Sequence, residues 1–387
     1  MHRRRGTGVR VMIAGGGTGG HLFPGIALAQ ELVTRHPKND VVFVGTNRGL
    51  ESRIVPAAGY KLEVIGARGV KGVGPLRLMR ALFALPVSFI KSWFLLRRYQ
   101  PDVVVGVGGY SSGPVVLAAW MQGVPTAVQE QNALPGLTNR VLGKVAQVVF
   151  IAFEEARAFF PAEKVQLTGN PIRRQLLDNY LRSRLAHERF SVLIFGGSQG
   201  SQAINERMIE ALDYLRDLKD QLHFVHQPGN SDLHRVRAAY VAKGFSAEVL
   251  DFIEDMSGAY AKVELVVCRA GATTLAELTV CKKAAILIPF PYATDNHQEV
   301  NARAMVEGGA AVMVRESELT GQKLAEQIRF LKEHPELLGN MERRAGLLGR
   351  PEAAKELADV CVQLMVKTWG SHGRSRRNGM LKPNGRT

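Results

Sequence analysis

Short apolar, β-branched runs recur along this chain, and most end at a cluster of glycines or small polar residues. In the first half such runs occupy residues 10–14, 40–45, 61–65, 102–107, 125–129 and 148–152. In the second they occupy 191–195, 222–226, 248–251, 263–267, 285–288 and 311–314. Because they are continuous rather than alternating, they read as strands buried on both faces, which is how a parallel sheet behaves. Between them lie segments with helical spacing, among them 23–35, 50–57, 75–99, 116–121, 203–218 and a terminal stretch at 352–368. Strand–helix alternation of this kind predicts an α/β chain with helices on both faces of each sheet. The pattern breaks once, at Thr168-Gly169-Asn170-Pro171-Ile172-Arg173, and then restarts. The expectation is two Rossmann-like, doubly wound parallel-sheet domains, each opening on strand, Gly loop and helix, facing one cleft.

Composition fits this picture. The chain has 387 residues, 46% hydrophobic and 22% charged, enough for two domains. Cys268, Cys281 and Cys361 form no disulfide or metal pattern, which suits a reducing cytoplasm. Arg3-Arg4-Arg5 leads into Gly-Thr-Gly, not into the apolar segment of a secretory leader. The net charge of +15 is uneven. Arginines crowd residues 1–10, basic residues without acids fill 366–387, and Arg68, Lys71, Arg77, Arg80, Lys91, Arg97 and Arg98 stand without an acid in 66–100. The body is left near neutral. That argues against a nucleic-acid groove and for a local anionic surface, with anionic lipid the leading candidate.

The 75–99 helix sharpens the point. Projected at about 100° per residue, Arg77, Arg80, Lys91 and Arg98 share one sector. Val87, Ile90 and Phe94 lie on one apolar flank, and Phe89, Trp93 and Leu96 on the other. The apolar arc is wider than the roughly 100° that core packing needs. One flank is therefore expected to pack on the domain while the other, with the basic edge, meets lipid.

Candidate chemistry gathers at the strand ends, where open α/β sheets bind ligands. Val263–Glu277 reads as strand, Arg269-Ala270-Gly271 turn and helix start. Unpaired N–H groups and a positive helix dipole there suit a phosphate or diphosphate. Glu277, one turn further on, is placed for a pair of sugar hydroxyls. Gly15–Gly20 matches G-x-G-x-x-G, but residues 40–45 end without an acid to grip a ribose, which lowers a dinucleotide reading. His21 follows that loop at a helix start, where a neutral imidazole is favoured and can take a proton from a hydroxyl. Glu130 ends a strand as a candidate base, or as the partner of Arg140. Asp295-Asn296-His297-Gln298-Glu299 and Asn301 crowd polar groups in a way that sugar hydroxyls would explain. No metal-ligand spacing is present.

Together, Gly16-Gly17-Thr18-Gly19-Gly20-His21-x-x-Pro24, Gly108-Gly109-Tyr110-x-Ser112-Gly113-Pro114, Glu130-Gln131-Asn132, Gly169-Asn170-Pro171-x-Arg173, Gly196-Gly197-Ser198-Gln199-Gly200, Arg269-x-Gly271-Ala272-x-Thr274 and Asn296-x-Gln298-x-x-Asn301 resemble the MurG family, in order and spacing from about Val9 to Trp369. The resemblance implies a GT-B fold, with residues 8–168 plus 352–369 as the acceptor and membrane domain, 170–351 as the UDP-GlcNAc domain, and a disordered basic tail at 373–387. It implies inverting transfer of GlcNAc from UDP-GlcNAc to the C4 hydroxyl of the muramyl sugar of lipid I, without cofactor or metal, by a peripheral protein on the cytoplasmic face of the inner membrane. His21 and Glu130 would be catalytic. Thr18, Gly19, Gly20 and Asn132 would contact the donor from the first domain, Arg173 and Ser198 the diphosphate, and Ile253 the uracil. Ala272, Thr273, Thr274, Leu275, Ala276 and Glu277 would hold phosphate and ribose. Gln298 and Asn301 would grip GlcNAc, and Gly16, Gly17, Gly108, Gly109 and Tyr110 the acceptor diphosphate. His297 departs from a Gln seen in some members. Another GT-B enzyme, such as a UDP-GlcNAc 2-epimerase or a glycolipid synthase, is the alternative.

Overall fold

A computed structural model describes residues 8–47, 49–66, 75–182, 188–197 and 199–378. The first domain holds β1 (Arg10–Ala14), α1 (Gly19–Arg35), β2 (Asp40–Gly45), α2 (Glu51–Ala57), β3 (Lys61–Val64), α3 (Pro75–Tyr99), β4 (Val103–Gly106), α4 (Ser112–Met121), β5 (Thr126–Glu130), α5 (Leu137–Val145), β6 (Val148–Ile151) and β7 (Val165–Leu167). The second holds α6 (Arg174–Arg182), β8 (Phe190–Phe195), α7 (Gln202–Tyr214), β9 (Leu222–Gln227), α8 (Leu233–Lys243), β10 (Ser246–Val249), α9 (Met256–Ala261), β11 (Leu265–Cys268), α10 (Ala272–Val280), β12 (Ala284–Leu287), α11 (His297–Glu307), β13 (Ala311–Met313), α12 (Gly321–Glu333) and α13 (Pro335–Leu348). The last described element is α14 (Ala353–Asn378).

Both sheets are parallel throughout. The orders are β3-β2-β1-β4-β5-β6-β7 and β10-β9-β8-β11-β12-β13. In each, the first strand sits between the second and a later one, so strand order reverses beside β1 and beside β8. That reversal opens a crevice at the strands' carboxyl ends. Register is pinned by buried pairs such as Val11 with Val41 and Val103, and Leu265 with Val192 and Ala284. Each sheet is covered on both faces, which is why its strands carry apolar residues at nearly every position.

Several boundaries differ from the sequence reading, for identifiable reasons. Helix α1 begins at Gly19, not at residue 23, because the end of the Gly loop already forms its first turn. Helix α4 likewise starts at Ser112. The edge strand β7, three residues long, has too short an apolar signal to be read. Helix α14 runs through Asn378, past the point at Gly373 where disorder was expected; no proline interrupts it, and a Gly inside a helix costs only about 1 kcal/mol. The rest of that tail, residues 379–387, lies outside the described residues, as do Arg3, Arg4, Arg5, Arg68, Lys71 and Ser198.

Helix α14 lies against α1. Its Leu357, Ala358, Cys361 and Met365 are buried with Leu22, Ile26 and Leu28 in the first domain's core. The chain therefore crosses between domains twice, near Gly169 and near Arg350. The two crossings touch: a Cβ on Gly169, whose φ is +88°, would lie 2.4 Å from Cβ of Arg350. Beside them is a cavity of about 200 Å³, lined from both domains by Phe153, Asn170, Leu275, Met305, Leu348 and Arg350 among others.

Candidate active site

The loops after β1 and β4 meet at the carboxyl edge of the first sheet. A Cβ on Gly109 would fall 2.5 Å from the Gly16 carbonyl oxygen, so only backbone fits between them. A Cβ on Gly108 would fall 2.7 Å from the His21 ring, so His21 stands directly on that loop. Of the residues expected to meet the acceptor diphosphate, Gly16, Gly17, Gly108 and Gly109 are thus brought together, with Tyr110 exposed at their rim.

Beneath them is a group the sequence reading missed. Glu51 is fully buried and accepts hydrogen bonds from Gly17 N (2.8 Å), Thr46 N (2.9 Å) and Thr46 Oγ1 (2.7 Å). Burial alone would raise its pKa, but these donors outweigh burial and hold it below the ordinary carboxylate range. No local motif announces Glu51, which lies 34 residues from Gly17.

His21 is half-buried, with Nδ1 3.3 Å from Thr18 Oγ1. Burial lowers its pKa; a backbone hydrogen bond with Gly16 opposes this, the positive form of His297 across the cleft lowers it further, and Glu51 raises it. The net is a neutral imidazole at pH 7.

Glu130 does not pair with Arg140, whose Nε donates to the Pro135 carbonyl. Its carboxylate accepts from Asn132 N (2.9 Å), Gly136 N (3.1 Å) and Asn139 Nδ2 (2.9 Å). It is fully buried, and burial pushes its pKa up against those bonds. The geometry is that of a clamp on loop 132–136, not of a base facing the cleft.

In the second domain, α10 begins at Gly271 with no side chain capping its first turn. That turn opens on a cavity of about 760 Å³, lined by Gly197, Gly200, Arg269, Thr274, Phe290 and Gln298 among others. The size suits a sugar nucleotide. The Thr273 hydroxyl is buried without a hydrogen-bond partner. Arg269 is buried and fully engaged. It donates to the carbonyls of Ile288 and Pro289 (3.2 Å each) and to Ser201 Oγ (2.7 Å), and it pairs with Glu316 at 2.5 Å. It shapes the cavity wall. Gln298 Oε1 accepts from Phe290 N (3.0 Å), which leaves its NH2 as the end for a ligand.

Glu277 is half-buried and accepts from the Tyr260 hydroxyl at 3.0 Å. Burial pushes its pKa up to about 7 against that bond and the charge of Arg173. Arg173 reaches Glu277's field while its guanidinium lies 5.3 Å from the Phe23 ring of α1, so it bridges the domains.

The remaining expected contacts sit as follows. Leu275 is a core side chain, and Ala272 and Ala276 line the smaller cavity by the crossings, so these three can offer the donor cavity only their backbone. The Ile253 N–H donates to Gln227 Oε1 (2.9 Å), so its N–H is already engaged within the protein. The polar crowd before α11 is largely satisfied within the protein. Asn296 Nδ2 donates to Glu299 (2.8 Å), Glu299 pairs with Arg303 and Arg315, and these bonds bring its pKa down to about 2. His297 Nδ1 lies 2.7 Å from the Thr294 carbonyl. Asn301 is fully buried at the domain interface, where it accepts from Ala133 N (2.9 Å) and donates to Asn132 Oδ1 (3.1 Å). Among the described residues no cluster of three or more His, Cys, Asp or Glu is arranged to hold a metal ion.

Comparison with known proteins agrees with this layout. Residues 11–151 match the glycosyltransferase family 28 N-terminal domain and residues 191–357 its C-terminal domain. The UDP-N-acetylglucosamine--N-acetylmuramyl-(pentapeptide) pyrophosphoryl-undecaprenol N-acetylglucosamine transferase of Myxococcus xanthus is 72% identical, over 95% of this chain and 96% of its own. The protein of the same name from Anaeromyxobacter dehalogenans strain 2CP-1 is 58% identical, over 96% and 97%. The crystal structure of Acinetobacter baumannii MurG superposes with a TM-score of 0.77 at 32% identity, over 92% of this chain and 99% of that one. A UDP-GlcNAc 2-epimerase from Neisseria meningitidis, bound to UDP-GlcNAc, shares the fold at 15% identity and a TM-score of 0.66, over 93% and 100%.

Proposed function

The chain belongs to the MurG family within glycosyltransferase family 28, and from that premise we propose that it transfers GlcNAc from UDP-GlcNAc to the muramyl C4 hydroxyl of lipid I, with inversion. The products are lipid II and UDP, a step of peptidoglycan precursor synthesis on which cell shape and division depend. The single observation that carries this reading is the 72% identity to a relative bearing that name, over nearly the whole length of both chains.

The geometry supports a direct displacement. The donor's diphosphate sits at the uncapped start of α10, where N–H groups and the helix dipole stabilise the leaving UDP. The backbones of Ala272–Glu277 and the Thr274 side chain line that seat, and Glu277 takes the ribose hydroxyls. Arg173 adds positive charge from the interface. The Ile253 carbonyl reads uracil, and the NH2 of Gln298 reaches GlcNAc. Thr18, Gly19 and Gly20, at the start of α1, approach the donor from the other side. The acceptor diphosphate rests on Gly16, Gly17, Gly108, Gly109 and Tyr110. His21, neutral at pH 7, takes the proton from the attacking hydroxyl.

Membrane attachment is part of the same reading. Val87, Ile90 and Phe94 are 52–65% exposed on α3, and Trp120 and Met121 are exposed on the neighbouring α4. Lys91 and Arg97 stand beside them. The side chains of residues 75–84, including Arg77 and Arg80, lie outside the described residues. No described helix is long and apolar enough to cross a membrane. We place the protein peripherally on the cytoplasmic face of the inner membrane, against anionic lipid.

One assay tests the activity. Purified protein with UDP-GlcNAc and a lipid I analogue is expected to release UDP and form the disaccharide, with or without EDTA, and to use UDP-GalNAc poorly. Formation of UDP-ManNAc without acceptor would instead favour an epimerase.

A further inference from the structure

The peptide bond between Gly16 and Gly17 lies between two ionisable side chains. Its N–H end donates to Glu51 at 2.8 Å. Its carbonyl end serves His21: the backbone hydrogen bond that joins the ring to Gly16 raises the ring's proton affinity, so the backbone partner is an acceptor. Glu51 is seated to hold this peptide in one orientation. A Cβ on Gly16, Gly45 or Gly49 would fall 2.5, 2.7 or 2.0 Å from the Glu51 side chain, so three glycines leave the space it fills. Thr46 anchors the other carboxylate oxygen through its N–H and its hydroxyl, at 2.9 and 2.7 Å. Left alone, the peptide could turn over: Gly16 has φ +150° and Gly17 φ +90°, and neither carries a side chain to resist the flip.

We infer that Glu51 is a positioning residue for His21: acting through the Gly16–Gly17 peptide, its carboxylate fixes one ring N–H against the Gly16 carbonyl and leaves the other ring nitrogen to take the acceptor's proton. This deepens the transferase reading and rests on His21 being its base. The physical case has two parts. A neutral imidazole has one N–H and one acceptor nitrogen, and the bond that the N–H makes decides which is which. The Gly16 carbonyl is a strengthened partner for that N–H, since a peptide whose own N–H is drawn toward an anion carries more negative charge on its oxygen. The second part is charge. The donors around Glu51 outweigh its burial and keep it ionised, so a fixed negative charge lies behind the ring and steadies the imidazolium that forms as the proton arrives. A flipped peptide would turn its N–H toward His21, and the ring would lose both its tautomer and that support.

Glu51→Gln tests it by keeping the shape and removing the charge. Whichever way the new amide sits, its NH2 meets the N–H of Gly17 or of Thr46. NMR titration of the His21 ring in the unliganded full chain reads the coupling without any substrate. The other ionisable groups on the elements around the ring are His297 on α11, Glu277 on α10, Arg173 over the Phe23 ring and Tyr110 on the loop after β4. All are kept in the variant. Loss of the negative charge and loss of the carbonyl bond both make the ring easier to deprotonate. Its pKa should therefore fall by about half a pH unit or more, and its neutral form should become a mixture of tautomers. An unmoved pKa would overturn the inference. So would mixed tautomers in the unaltered protein, a measurement that decides the matter if Glu51→Gln does not fold. Kinetics read the role. With a lipid I analogue kcat should fall about tenfold or more, the acid limb of kcat/KM should move down with the ring's pKa, and KM for UDP-GlcNAc should stay within about threefold. Full retention of kcat would also overturn it. His21→Ala judges the base reading separately: full kcat in that variant would place the base elsewhere, whereas the ring titration does not depend on that reading.

Discussion

In the proposed reaction two side chains, His21 and Glu277, have surroundings that push their proton affinities in opposite directions. Burial keeps the imidazole of His21, the proposed base, uncharged. Its pKa lies below 6.5, so the acid limb of kcat/KM is expected below pH 6.5 in a pH–rate profile, and a limb above that value would count against His21 as the base. His21→Ala should lower kcat by about 10²–10⁴ while donor KM stays within about threefold. Glu277 has the reverse signature. Its pKa is about 7 in the folded protein against an ordinary 4.5, so the folded state holds a proton there that the unfolded chain has released. The resulting stability is present in full below about pH 4.5 and is lost as pH rises through 7. Glutamine cannot ionise and escapes that loss. Glu277→Gln should therefore melt above the unaltered protein by about 2–4 °C at pH 8, with the gap closing at pH 5, while UDP binds more weakly. A gap independent of pH would show that ionisation is not the cause. The positions of His21 and Glu277 beside their loops were legible because each stands at a fixed offset from a Gly turn. Glu51 and the bond between Asn301 and Ala133 were not, since they join positions 34 and 168 residues apart.

At the scale of elements, hydrophobic periodicity located the strands and long helices well, and it failed where a helix begins inside a glycine loop. Helix α3 is the informative case. Its projection separated two apolar flanks, and the structure gives them different fates: Phe89, Trp93 and Leu96 pack against the domain, whereas Val87, Ile90 and Phe94 face outward. The wide apolar arc is thus divided into a packed flank and an exposed one, and the exposed one is the surface proposed for lipid. Ile90→Glu and Phe94→Glu should cut co-sedimentation with anionic vesicles several-fold while leaving turnover of a short-chain, water-soluble acceptor and the melting temperature near those of the unaltered protein. Equal vesicle binding would place the lipid contact elsewhere. The polar crowd before α11 is the opposite lesson. Its composition suggested sugar binding, but Asn296, Glu299, Arg303 and Arg315 mainly satisfy one another. Sequence shows that polar groups are gathered, not whom they face.

For the whole molecule, the doubling of the strand–loop–helix series foretold two sheets with their carboxyl edges available to one ligand. How the halves meet was beyond reach of any local pattern. That meeting is made by a few pairs from distant segments: Asn301 with loop 132–133, Arg173 with Phe23, and Phe153 against the second core. The return of α14 onto α1 adds one more tie.

The paired crossings at Gly169 and Arg350 carry a mechanical corollary. A lid held by two neighbouring pins can swing but cannot slide, and a small void lies alongside them. Opening to admit a substrate and shutting upon it then become a rotation about one line, so the two lobes regain the same alignment after every turnover.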